Sequence, residues 1–325
     1  MNRILVTGGC GFIGSHFLRF ILKSSPKLSV VNLDKLTYAG NRANTREFET
    51  NKQYEFVHGD ICDEKLVRRL MEQVDGVVHF ASETHVDRSI VDASDFVWTN
   101  VVGTRVLLEA ARKNGVKQFI HFSTDEVYGS IRKGSFSETD ALSPSSPYSA
   151  SKAAGDLLAL SYWKTYGLPV IVMRSSNNFG PYQFPEKVIP LFITNLIEGK
   201  KVPLYAQGEN MRDWIFVGEC VKGIDFIMKH GQSGEIYNLA AGSELSNKAL
   251  TRLILKEFDR GEEAIQYVPD RPAHDFRYSV SAKKLRDLGF TPSNHFGKEL
   301  KDTIKWYRDH RSWWEPLKHD AFTLK

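Results

Sequence analysis

The chain has 325 residues, 42% of them hydrophobic and 25% charged, a globular composition with length for about two domains that excludes disorder as the dominant state. Lys and Arg number 43 against 39 Asp and Glu, and the resulting net charge of +4 is too slight for the clustered basic face that nucleic acid needs. Cys10, Cys62 and Cys220 are the only cysteines, neither even in number nor spaced as metal ligands. With no leader-like start and no run of about 20 apolar residues, they point to a cytoplasmic protein off the membrane.

In chain order, the apolar run Arg3 to Thr7 precedes a glycine cluster and then Phe12 to Leu18, whose spacing suits a helix. Further strands are expected at Leu28 to Asp34, Tyr54 to Gly59, Gly76 to Phe80, Gln118 to Ser123 and Val170 to Arg174. Helix-length segments separate them, the alternation of a doubly wound α/β fold with a parallel, Rossmann-type sheet. From Phe179 to Lys187 two prolines among aromatics suit a shaped loop. A helix over Val188 to Gly199 and another around Leu300 to Trp306 belong to a second, smaller α/β unit. The expected division is a cofactor-binding domain over 1–178, joined by parts of 215–245, and a mainly substrate-binding domain over 179–325.

Gly9, Gly11 and Gly14 satisfy GxGxxG between a strand and a helix, where glycines let the backbone approach a pyrophosphate at the positive end of the helix. Asp34 ends the next strand 20 residues after Gly14, where a carboxylate accepts from a ribose diol and repels a 2′-phosphate. NAD is therefore expected over NADP. Tyr148 and Lys152 stand four apart, one turn of helix, so that the ammonium is expected to favour a phenolate and lower the tyrosine's pKa toward neutrality. Asp125 and Glu126 follow a strand's C-terminal end. Adjacent residues on a regular strand face opposite ways, so the two serve one site only if the strand stops or bends there. Taken alone, solvated loop acids are the commoner reading of such a pair. Trp313, Trp314, Tyr162 and Trp163 read as packing or interface groups, and His85 and His274 as hydrogen-bonding residues, with no metal expected.

Several stretches together resemble the nucleotide-sugar 4,6-dehydratases of the extended short-chain dehydrogenase family: Thr7 to Gly14, Asp34 to Asn41, Thr84 to Ile90, Ser123 to Gly129, Tyr148 to Lys152, Ser176 to Lys187, Arg212 to Trp214, and Asp270 to Tyr278. The glycine and Tyr/Lys motifs mark only the superfamily. Thr124-Asp125-Glu126 and Asn177 to Lys187 are more specific.

The resemblance implies that Gly8, Gly11, Phe12, Ile13, Gly14, Asp34, Lys35, Thr37, Asp60, Ile61, Phe80, Ala81, Thr99, Tyr148, Lys152 and Asn178 hold NAD. Thr124, Asp125, Glu126, Tyr148 and Lys152 would be catalytic, with Asp125 the acid, Glu126 the base and Thr124 on the sugar 4-hydroxyl. Thr84, Thr124, Asn177, Glu186, Lys187, Val188, Pro203, Tyr205, Arg212, Asn247, Arg271, His274 and Tyr278 would line the substrate site. The implied reaction oxidises C4 of a nucleoside-diphosphate glucose, foremost dTDP-glucose, removes water across C5 and C6, and returns hydride to C6. A UDP sugar such as UDP-N-acetylglucosamine, a 4-epimerase and a non-catalytic NAD-binding sensor are the alternatives. The resemblance also implies a homodimer through helices near Asp95 to Lys113 and Ser149 to Tyr166. Ser82-Glu-Thr-His85, Arg174 to Phe179 and Arg271-Pro-Ala-His274 depart slightly from the family's usual wording, which bears on the exact sugar and base through Thr84 and Phe179.

Overall fold

The computed structural model describes residues 1–323, with side chains through Lys318; positions 324 and 325, the end of the expected second domain, lie outside the described residues. Among the described residues twelve strands run in chain order: β1 Arg3–Thr7, β2 Ser29–Asp34, β3 Tyr54–His58, β4 Gly76–His79, β5 Gln118–Thr124, β6 Val170–Ser175, β7 Asn177–Phe179, β8 Val202–Tyr205, β9 Met211–Phe216, β10 Ile236–Leu239, β11 Glu244–Ser246 and β12 Ile265–Val268.

Seven strands form one sheet in the order β10-β6-β5-β4-β1-β2-β3, parallel at every pairing. Successive side chains leave a strand on opposite faces, and β1 illustrates the consequence. Ile4 and Val6 join a core beneath the helices Phe12–Ser24 and Val217–His230, while Leu5 joins a second core under Glu64–Met71, Thr104–Lys113 and Pro147–Tyr166. A strand buried on both faces has no polar side to show, hence the uninterrupted apolar runs of β1, β4 and β6. The strand order reverses between β1 and β4, and in open parallel sheets that reversal opens a crevice at the C-terminal strand ends.

A second unit is built on β11-β9-β7, in which β7 is parallel and β11 antiparallel to β9, and on the parallel pair β12-β8. Its separate core gathers Phe179, Ile189, Phe192, Trp214, Ile254, Ile304 and Trp314. The expected loop thus begins one residue late: Phe179 completes β7, whose pairing with Phe216 buries it fully. The helix expected near Leu300 runs Phe296–Asp309. Trp314 is packing, whereas Trp163 stays 38% exposed.

Two local devices fix what the crevice receives. Ser146 caps Pro147–Tyr166 in a capping box with Ser149, with proline in the first turn, which sets where that helix starts and so which residues face the sheet. Upstream, Ser94–Val97 passes into a wide π-type turn, Trp98–Gly103, before Thr104–Lys113 resumes ordinary pitch. From that turn the Asn100 amide accepts the Glu83 N–H at 2.9 Å and donates to the Glu83 carbonyl at 3.0 Å, bracing the chain after β4.

Candidate active site

One large cavity occupies the crevice, floored by the turn after β1 and walled by the ends of β2, β4, β5 and β6. Gly8 has φ +72°, and a Cβ there would lie 2.6 Å from Ala81 N across the reversal. A Cβ on Gly14 would lie 2.2 Å from the Gly8 carbonyl, whereas one on Gly11 would meet only that carbonyl at 3.3 Å. The loop is therefore closed against the chain after β4 at Gly8, closed on itself at Gly14 and open to the cavity at Gly11. Asp34 caps this end: its carboxylate accepts from the Cys10 N–H and the Leu36 N–H, each at 2.8 Å. Burial raises its pKa and these two bonds oppose the rise. Lys35 and Asp60 pair at 2.8 Å on the same rim.

The acid pair sits where the strand gives out. β5 ends at Thr124 and Asp125–Tyr128 form one 3-10 turn, with Thr124 Oγ1 accepting the Glu126 N–H at 3.3 Å. Gly129 releases the turn at φ +80°, where a Cβ would strike the Ser143 carbonyl at 2.3 Å. Both acids consequently line one cavity. They differ in electrostatics. Burial, then Glu126, pushes Asp125 well above the ordinary carboxylate range, and its Oδ2 is buried with no hydrogen-bond partner. Burial raises Glu126 too, but Arg212, Arg271 and Lys187 pull it back. The pair is thus divided into an acid that keeps its proton and a carboxyl that gives its proton up more readily.

Tyr148 and Lys152 line the same cavity, both inward on Pro147–Tyr166. Lys152 Nζ donates to the Phe122 carbonyl at 2.7 Å, and burial lowers its pKa to about 8, with Asp156 opposing. The expected lowering of the tyrosine is corrected here. Burial first, then the facing Glu126 and Asp125, move Tyr148 upward, opposed by its hydrogen bond with Thr124.

Of the expected cofactor positions, Gly8, Gly11 to Gly14, Asp34, Lys35, Thr37, Asp60, Ile61, Phe80, Ala81, Thr99 and Asn178 all line this cavity, as do Thr84, Asn177, Glu186 and Lys187 from the substrate set. Eight further substrate positions do not. Arg212, Arg271 and Tyr278 stand behind Glu126, the Tyr278 hydroxyl 3.4 Å from Glu126 Oε2. Tyr205 and Arg271 both reach Asp87, at 3.3 and 3.2 Å, and His274 bonds Asp270 at 2.6 Å beside the Tyr205 ring. Val188 opens the helix after Lys187, while Pro203 and Asn247 lie on β8 and at the start of Asn247–Lys256 with no side-chain reach to the cavity. Phe179, placed near the ligands by its stretch, is a core residue between Phe216 and Phe296.

Sequence reasoning missed Ser123, Ser176 and Gln183, whose buried polar atoms lack partners beside the cavity, along with those of Asn177 and Asn178. The available signal was position: Ser123 is the next-to-last residue of β5, Ser176 follows β6 directly, and Gln183 lies in the loop after β7. Orphaned polar atoms, a backbone cradle closed to side chains and a carboxylate at the end of β2 fit a dinucleotide.

The family model described as GDP-mannose 4,6 dehydratase matches residues 5–303. The chain belongs to this dehydratase family. It is 51% identical over 321 residues to a dTDP-glucose 4,6-dehydratase of Streptomyces niveus, covering 97% of this chain and 96% of that one. DesIV, a dTDP-glucose 4,6-dehydratase of Streptomyces venezuelae solved with NAD, superposes with TM-score 0.95 at 49% identity, over 97% and 99% of the two chains. A UDP-glucose 4-epimerase from Thermotoga maritima shares the fold at TM-score 0.87 and 29% identity, over 94% and 99%. The Rossmann-type fold is common to these dehydratases and epimerases alike.

Proposed function

We propose that the chain is an NAD-dependent dTDP-glucose 4,6-dehydratase, a hydro-lyase that yields the 4-keto-6-deoxy sugar nucleotide. The observation that carries the reading is the Asp125–Glu126 pair, lifted off the strand end into the cavity that holds Tyr148 and Lys152. An epimerase needs the tyrosine and lysine but has no water to remove. The similarity to dTDP-glucose dehydratases, one of them solved with NAD, supports both substrate and cofactor.

Gly8, Gly11, Phe12, Ile13, Gly14, Asp34, Lys35, Thr37, Asp60, Ile61, Phe80, Ala81, Thr99 and Asn178, with Tyr148 and Lys152, would hold NAD, which supplies a hydride acceptor and, once reduced, a donor. The other steps belong to the chain. Thr124 orients the sugar 4-hydroxyl, and Tyr148, which must first lose its own proton, accepts the hydroxyl's as C4 is oxidised; Lys152 and the positive charge that bound NAD would bring both favour that phenolate. Asp125, kept neutral by burial, leaves Tyr148 facing one carboxylate charge rather than two. The new ketone acidifies C5, Glu126 takes that proton, and Asp125 protonates the departing 6-hydroxyl. Thr84, Asn177, Glu186, Lys187 and Arg212, with Arg271 and Tyr278 behind, grip the nucleotide and hold the intermediate in place until hydride reaches C6. Residues 1–178 with parts of 215–245 act as the cofactor domain and 179–325 mainly as the substrate domain.

A homodimer fits the surface. Val97, Trp98, Leu157, Trp163 and Tyr166 are exposed on the adjacent helical stretches 94–113 and 147–166, apolar groups of the kind a second copy covers. All three cysteines are free, which fits the cytoplasm. Among the described residues no helix is long and apolar enough to cross a membrane.

Incubation of purified protein with dTDP-glucose, UDP-glucose and UDP-N-acetylglucosamine, with NMR of the products, tests the proposal. A 4-keto-6-deoxy product from dTDP-glucose is expected. Conversion of only a UDP sugar moves the substrate, and a C4 epimer with water retained overturns the dehydratase.

A further inference from the structure

Three hydrogen-bonding groups lead away from Glu126, and of these only Tyr278 also belongs to the proposed substrate set. The Tyr278 hydroxyl lies 3.4 Å from Glu126 Oε2 and donates to Asp275 Oδ2 at 2.7 Å. The same Asp275 oxygen accepts from the Ser145 hydroxyl. Tyr278 is 3% exposed and Asp275 9%, whereas Ser145 stands in solvent. The row therefore runs from a half-buried carboxylate lining the cavity to the surface, each oxygen within hydrogen-bonding reach of the next once Glu126 is protonated. It is also held rigidly: the Asp275 carbonyl accepts from Arg212 Nη2 at 3.0 Å and from the Asn210 amide at 3.2 Å, and the Arg212 guanidinium lies 4.2 Å from the centre of the Tyr278 ring.

We infer that Glu126, Tyr278, Asp275 and Ser145 form a proton relay that connects the proposed base with bulk water during turnover. The inference rests on the assignment of Glu126 as that base. Polarity favours the direction. The phenol's one proton is committed to Asp275, so a lone pair on its oxygen remains for Glu126. While Glu126 is ionised the two oxygens have no proton between them, and 3.4 Å is long for such a bond. Once Glu126 has taken the C5 proton it becomes a donor. Its proton then passes to the Tyr278 oxygen as the Tyr278 proton moves to the Asp275 carboxylate, and Asp275 releases a proton through the Ser145 hydroxyl to water. The same row run backwards returns a solvent proton to Glu126 for C5. No proton or electron is gained or lost over the cycle. Burial beside two carboxylates pushes the Tyr278 phenol upward, so it carries protons without resting as phenolate.

The test uses the full chain, dTDP-glucose deuterated at C5 and ordinary water, with deuterium in the product read by mass spectrometry and NMR. The protein is expected to lose most of the C5 label to solvent. Asp275→Asn keeps an acceptor for Tyr278 but cannot pass a proton, and retained label should rise several-fold; Tyr278→Phe should do the same. Ser145→Ala, at the surface where the fold is not at risk, should raise it less. Retention equal to the parent in all three variants overturns the relay, as does a parent that keeps its label. A higher KM with unchanged labelling in Tyr278→Phe reduces that residue to substrate binding and also overturns it. A parent that dehydrates no nucleotide sugar overturns the assignment of Glu126 itself, and so is distinguishable from failure of the relay alone.

Discussion

The two walls of the cavity are made differently. The wall at the sheet's edge is backbone and short side chains: a glycine turn closed by its own carbonyl, Asp34 tied to two backbone N–H groups, and Ser123, Ser176, Asn177 and Asn178 with polar atoms still unpartnered. On the opposite side, mostly behind the residues that line the cavity, long side chains are already engaged with one another. Arg271 and Tyr205 hold Asp87, Tyr278 holds Asp275, and Glu186 accepts from Tyr38 at 2.9 Å and faces Arg88 at 3.4 Å. A wall of fixed dipoles waits for one ligand, whereas a wall of paired side chains must exchange partners to admit another. The first suits a cofactor that stays and the second a substrate that comes and goes.

The sharpest way to break the comparison is Glu126→Gln, which removes the proposed base and leaves the sheet-edge wall whole. Formation of 4-keto-6-deoxy product should fall about 10³-fold while reduced-nicotinamide absorbance still rises with substrate; an unchanged product rate would remove Glu126 from the mechanism. Gly14→Ala tests the other wall, since the new methyl meets backbone that cannot step aside. A loss of about 1–3 kcal/mol is expected, read as a lower melting temperature together with loss of co-purifying cofactor, and full retention of both would show the turn to be looser than it looks. Arg271→Lys keeps the charge and loses the planar fork. KM for the nucleotide sugar should rise about tenfold with kcat nearly unchanged, measured by initial rates.

The smallest effect is one of pH. Lys152 is a cation below about 8 and neutral above, so a rate that needs the cation is full on the acid side and falls to about half near that pH. A rate still rising well into alkaline pH would place the ammonium's titration elsewhere.

How much of this was legible follows from the range of the interactions. The turn at Gly8 to Gly14 and the spacing of Tyr148 and Lys152 are local, and both could be read directly. The Asp125–Glu126 pair was legible as residues but ambiguous as geometry, because only the stop of β5 at Thr124 turns both toward one cavity. The direction of the Tyr148 shift was misread for a related reason: the lysine is a neighbour in sequence, while the carboxylates and the burial that move the phenol upward come from the packing. Arg174 marks the limit. Its Nε donates to Asp156 at 2.8 Å and its Nη1 to the Tyr128 hydroxyl at 2.7 Å, beneath the site and fully buried, and no spacing in the chain announces a strand residue answering to a helix and a turn.

The wide turn at Trp98–Gly103 sets a constraint on length rather than on composition. A helix advances about 100° per residue, so deleting one residue there would rotate Thr104–Lys113 by that angle, turn Val106 and Leu107 out of the core and swing the Asn100 brace away from Glu83. The segment should accept many substitutions and few insertions or deletions, and among natural or engineered variants the gaps in alignment should fall elsewhere.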